Sequence, residues 1–207
     1  MSKKNFLERL FPVKYDFFEM LYRQAQINAQ TIDTLYVWLK NGAEADSNHL
    51  LAGIERTNEV RKKLESDLVE AFSTPFDRGD IYSISISMYQ VIDYAKSTLL
   101  SMQSYQVSAD DTILFMTENL KSGADIFAES MNALHDDPKQ SESKIADIRQ
   151  SHISIERLYR DGMAGVFLRD DAMDALRKRE IYHHIKDASS YLDNCVDILH
   201  RIIVRLT

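Results

Sequence analysis

The chain is poor both in residues that interrupt helices and in residues that build covalent or thiolate chemistry. Its 207 residues include one cysteine, Cys195, so neither an intrachain disulfide nor a thiolate metal site can form. Three prolines (Pro12, Pro75 and Pro138) and six glycines leave room for long uninterrupted helices. The N-terminus opens Met1-Ser2-Lys3-Lys4 but lacks the apolar run of a signal peptide. No stretch of about 18 apolar residues is long enough to span a bilayer. A cytoplasmic location is therefore expected, with peripheral attachment at the inner membrane face left open. Lys and Arg number 25 against 32 Asp and Glu, and the net charge of −7 argues against a nucleic-acid partner. Nucleophile elbow, phosphate-cradling glycine loop and zinc-protease signature are all missing.

What is present is helical periodicity. Apolar residues make up 44% of the chain, enough to bury a core. They recur every three to four residues in six stripes. The first runs through Phe17, Leu21, Asn28, Ile32, Leu35 and Leu39 to a stop at Gly42. The second holds Leu50, Ile54, Thr57, Val60, Leu64, Leu68 and Phe72, and the third Ile81, Ile84, Met88, Val91, Ile92, Ala95 and Leu99. Ser83 to Ser87 alternates as a strand would, but the longer window keeps the helical step. Ile113, Met116, Leu120, Ala124, Phe127, Met131 and Leu134 form the fourth. Ile145, Ile148, His152, Ile155, Tyr159 and Val166 form the fifth. The sixth begins Ala172, Leu176, Tyr182, Ile185 and Ser189 and continues through Leu192, Val196, Leu199, Ile203 and Leu206. Each stripe is apolar on one face and must be buried against neighbours. The expected fold is all-α: six long helices as two tandem three-helix bundles, residues 1–106 and 107–207, in one domain.

Chemistry must then come from oxygen and imidazole groups. Cys195 lies on the apolar side of the last helix and reads as a small core residue. Helical bundles build di-metal sites from inward Glu-x-x-His pairs, and Glu180 with His183 supplies only one such pair. Glu180 with His184, and His183 with Asp187, stand one helical turn apart, but a solvated face after Arg177-Lys178-Arg179 explains them as well. His152 occupies a stripe position with Glu156 one turn on, so the two need each other, a neighbouring helix or a metal as partner. Asp93 borders the same kind of stripe and must face solvent or find a partner. These residues define an alternative class, a metal-binding bundle enzyme or metal store using His152, Glu156, Glu180, His183, His184 and Asp187.

The stretch Phe72-Ser73-Thr74-Pro75-Phe76-Asp77-Arg78-Gly79-Asp80-Ile81 is a helix–turn–helix junction. Thr74 is placed to cap the next helix, with Pro75 at its first position and Asp77 at the capping-box position. Arg78 and Asp80 are placed to reach a neighbouring helix end.

This stretch, Thr74 to Ile81, resembles the signature of PhoU-like proteins, the accessory group often found beside Pit-type phosphate permeases. Leu10-Phe11-Pro12 with Phe17, Phe18 and Leu21, the run Glu156-Arg157-Leu158-Tyr159-Arg160-Asp161, and Glu180-Ile181-Tyr182 fit the same pattern. The resemblance spans about Phe6 to Leu206. It implies six helices in two three-helix bundles and a non-enzymatic role in regulating inorganic phosphate transport. The implied partner is a phosphate permease or a membrane-associated signalling protein, and a homodimer is allowed. Phe6, Leu7, Leu10 and Phe11, with Lys3, Lys4 and Arg9 nearby, form an apolar patch expected to pack on the bundle or dock on a partner or membrane.

The resemblance also implies multinuclear metal clusters held by acidic pairs. The family's ligand positions fall here on Ile54 and Asn58, on Tyr89, Gln90 and Asp93, on His152 and Glu156, and on Lys186 and Ser190. Hard cations need several oxygen ligands, and a lysine at a ligand position repels them. No cofactor is expected; one weakly held divalent ion near His152 and Glu156 is the most that the remaining ligands could hold.

Overall fold

The computed structural model describes residues 15–42, 47–168 and 171–207, and the apolar patch around Phe6 to Phe11 lies outside them. Among the described residues there are no strands. In chain order the helices are α1 (Phe17–Asn41), α2 (Asn48–Glu70), α3 (Arg78–Tyr105), α4 (Asp111–Ala133), the short α5 (Pro138–Ser143), α6 (Ile145–Phe167) and α7 (Ala172–Leu206). Aspartates start five of them. Asp16, Asp77, Asp110, Asp137 and Asp171 each accept a bond from a backbone N–H two or three residues ahead. Such a carboxylate satisfies an orphan donor and meets the positive end of the helix dipole. Much of the chain's acidic surplus is thus spent on helix starts. At the other ends, Gly42 terminates α1 at φ 92°, and Gln106 turns the chain out of α3 at φ 54°.

The stripes become one continuous core. All named positions of the first, third and fourth stripes are buried. Each fully buried Leu or Ile contributes about 1.5–3 kcal/mol, and this shared burial holds the helices together. Within the first half α1, α2 and α3 touch one another, and within the second α4, α6 and α7 do the same. The most extensive contacts cross between halves, α3 against α7 and α1 against α4. Gly162 marks a close approach in the second half, where a Cβ would stand 2.6 Å from Thr112 Cγ2 and 2.9 Å from Tyr182 Cε2.

Two stripe positions need correction. The second stripe does not extend to Phe72: α2 ends at Glu70 and Phe72 is 83% exposed. In the sixth stripe Leu176 is exposed and Ala175 takes the buried position, because the first turns of α7 present a slightly rotated face. After His135, Pro138 opens the short helix α5, capped by Asp137, which is not one of the six stripes.

Candidate functional site

The proline junction is built from the chain outward. Asp77, not Thr74, is the N-cap of α3, its Oδ1 accepting from Asp80 N at 3.2 Å. Thr74 Oγ1 donates instead to Phe76 O at 2.7 Å, and Pro75 stays in the turn before the helix. The reason is Phe76, which is buried and meets Phe18 of α1 edge-on at 5.2 Å between ring centroids. Seating that ring holds Pro75 outside the helix.

Arg78 and Asp80 do reach neighbouring helices. Arg78 Nη1 donates to Leu68 O at 2.9 Å and Nη2 donates to Ala71 O, so a guanidinium caps the orphan carbonyls of α2. Asp80, side chain 6% exposed, accepts from Arg201 Nε at 2.8 Å and from Arg205 Nη1 at 2.5 Å. The junction therefore clasps the end of α2 and the last turns of α7.

The histidines of the alternative metal-binding reading each take a hydroxyl partner on a neighbouring helix. His152 Nδ1 pairs with Ser189 Oγ at 3.0 Å, while Glu156 takes Arg160 at 3.2 Å, so the two residues are not partners of each other. His152 thus has a hydrogen-bond partner on the neighbouring helix α7. His183 Nε2 bonds Tyr159 Oη at 3.2 Å and His184 Nε2 bonds Ser101 Oγ at 3.2 Å. Each imidazole finds its hydroxyl on a different helix position. Burial holds the His184 pKa below its ordinary value despite the nearby carboxylates of Glu180 and Asp187. Asp93 is half-buried, and its backbone carbonyl accepts from Ser97 Oγ at 3.0 Å. Among the described residues no group of three or more His, Cys, Asp or Glu side chains is arranged to hold a metal ion. Cys195 is fully buried, and burial pushes its thiol pKa up, far from a reactive thiolate.

Two arrangements escaped the sequence reading. Arg61 of α2 lies over the ring of Tyr89 in α3, 4.7 Å from its centroid. It donates to Glu65 Oε1 at 2.6 Å and to Asn58 Oδ1 at 3.0 Å. In the second half Lys186 of α7 lies 5.7 Å from the ring centroid of Tyr159 in α6 and pairs with Asp187 at 3.1 Å. Burial lowers the Lys186 pKa, but Asp187 and Glu156 outweigh it and hold the ammonium above its ordinary value. Arg61 sits in the run Arg61-Lys62-Lys63, which reads as a solvated face; only the ring spacing across two helices reveals its role.

The sequence matches no family model and no curated protein. The fold does match solved structures. A crystal structure of a PhoU-like protein from Shewanella oneidensis MR-1 superposes with a TM-score of 0.74 at 9% identity, covering 92% of this chain and 100% of that one. A second from the same organism, described as a PhoU-like phosphate regulatory protein, gives 0.65 at 10% identity and covers 91% and 96%. The chain thus has the PhoU-like fold, six long helices, as its sequence resemblance implied.

The metal clusters that the resemblance implies do not fit the donors present. Ile54 is buried and has no ligand atom, Asn58 Oδ1 is engaged by Arg61, and Tyr89 lies beneath that guanidinium. On the other side Lys186 is a cation itself, and Ser190 Oγ donates to the Lys186 carbonyl at 3.1 Å. A multinuclear site needs several carboxylate oxygens converging, and of these positions only Asp93 and Glu156 carry carboxylates, too few to form such a group among the described residues.

Proposed function

We propose that the protein is a non-enzymatic accessory protein of inorganic phosphate transport, of the Pit-associated PhoU-like kind, working in the cytoplasm at the inner membrane face. It acts by contact with a phosphate permease or a membrane-associated signalling protein. The observation that carries this reading is the likeness of nearly the whole chain to PhoU-like folds. Two features support it. His152, His183 and His184 are each held by a hydroxyl of a neighbouring helix, and among the described residues no group of three or more His, Cys, Asp or Glu side chains is arranged to hold a metal ion. No described helix is long and apolar enough to cross a membrane, so influence over transport would pass through a partner. Neither a cofactor nor a resident metal takes part in this reading.

The test is capture of a detergent-solubilised Pit-type phosphate permease by the immobilised full-length protein, together with phosphate uptake in cells lacking the gene. Capture with altered uptake is the expected result. Absence of capture with unchanged uptake would reject the proposal.

A further inference from the structure

We infer that Arg61 and Lys186 are built-in cations that hold the two three-helix units closed, each at the seam between the second and third long helix of its half, so that the protein works without bound metal. The two sites occupy equivalent seams, with cation and ring exchanged between the two helices. In the first half the positive group comes from α2 and the ring, Tyr89, from α3; in the second the group comes from α7 and the ring, Tyr159, from α6. Both cations are largely buried, with side chains 17% and 23% exposed, and both have a carboxylate on their own helix, Glu65 or Asp187. A cation over an aromatic face gains most where water is excluded. The planar guanidinium can stack on its ring while Nη1 reaches Glu65 and Nη2 reaches Asn58, a geometry that an ammonium cannot copy, and its buried Nε is left without a hydrogen-bond partner.

The same groups deter a divalent ion. A metal entering either seam would meet a fixed positive charge, and it would find oxygens already taken. Asn58 Oδ1 and Glu65 Oε1 both accept from Arg61. His152 has turned to Ser189. The inference goes beyond the regulatory reading and stands whether or not a permease is the partner. It means that any signal relayed by this protein is not read from a resident metal.

The experiment uses the full chain purified without a metal-affinity tag. Its metal content is measured, and thermal unfolding is followed in EDTA and then with Mn2+ or Fe2+ added singly. The expected result is no stoichiometric metal and the same Tm in all conditions. Arg61→Met and Lys186→Met should each lower Tm by several degrees, equally with and without metal, and Arg61→Lys should recover only part of the loss. Should R61M fail to fold, Tyr89→Leu and Tyr159→Leu probe the same contacts from the ring side. Combining R61M with Y89L should cost no more than the larger single loss. Stoichiometric metal, a Tm rise of several degrees with either cation, or wild-type Tm in the cation variants would each overturn the inference.

Discussion

The junction between the second and third long helix is built in opposite ways in the two halves. In the first half, between α2 and α3, the turn is drawn inward: Phe76 is buried, Arg78 caps α2 and Asp80 binds two arginines of α7. In the second half, between α6 and α7, Phe167, Leu168, Met173 and Leu176 stand 63%, 86%, 59% and 53% exposed. Asp171 there serves its own helix, accepting from Met173 and Asp174, and these bonds depress its pKa. Both junctions leave apolar side chains uncovered, Val69 and Phe72 in the first, but the first also clasps the other half through Asp80. Equivalent places in a repeated topology can thus carry different duties, the first junction adding a charged clasp to the α3–α7 and α1–α4 packing that already joins the halves.

The largest expected effect breaks the cohesive junction. Asp80→Ala removes a nearly buried carboxylate and strands two half-exposed arginines, at a cost of about 2 kcal/mol. For a chain of this size that lowers Tm by roughly 4–8 °C. Thermal unfolding checks it, and an unchanged Tm would mean that the clasp does not bind the halves.

A smaller effect sharpens the picture of the seam between α3 and α7, where His184 meets Ser101. Because burial depresses the folded-state pKa of His184, the unfolded chain takes up the proton first. Stability is therefore retained above the ordinary value of 6.5 and declines as pH falls below it toward the depressed folded value. His184→Gln should flatten that part of a Tm-against-pH curve, and a slope identical to wild type would exclude this residue as its source.

The smallest stability effect belongs to the exposed junction. Phe167→Ser with Leu168→Ser should leave stability within about 0.5 kcal/mol of wild type, as for other solvent-facing changes. Binding of an apolar-surface dye should fall at the same time. A large loss of Tm would show that this turn is packed after all and would erase the contrast between the junctions.

Much of this fold is written in local pattern. Seven positions of the third stripe and seven of the fourth are all buried, because a long amphipathic helix has only one way to hide its apolar face. Errors arose where an element ends. Phe72 continues the step of α2, yet the helix stops once the Arg78 guanidinium takes its last carbonyls, an event ten residues away from Leu68. The candidate site was less legible. His152 could be recognised as needing a partner, but Ser189 lies 37 residues on, and spacing along one helix carries no information about which hydroxyl faces it. Arg61 over Tyr89 was hidden for the same reason: a stacking pair across two helices leaves no trace in either helix alone.

Cys195, fully enclosed in α7, also makes the molecule its own recorder of motion. Its sulfur is the sole thiol of the chain, so a thiol-specific reagent added to the native protein has one target and can reach it only while α7 is lifted from its neighbours. The rate of modification then counts those excursions directly, and comparing it with and without a bound partner would show whether docking loosens or tightens the last helix.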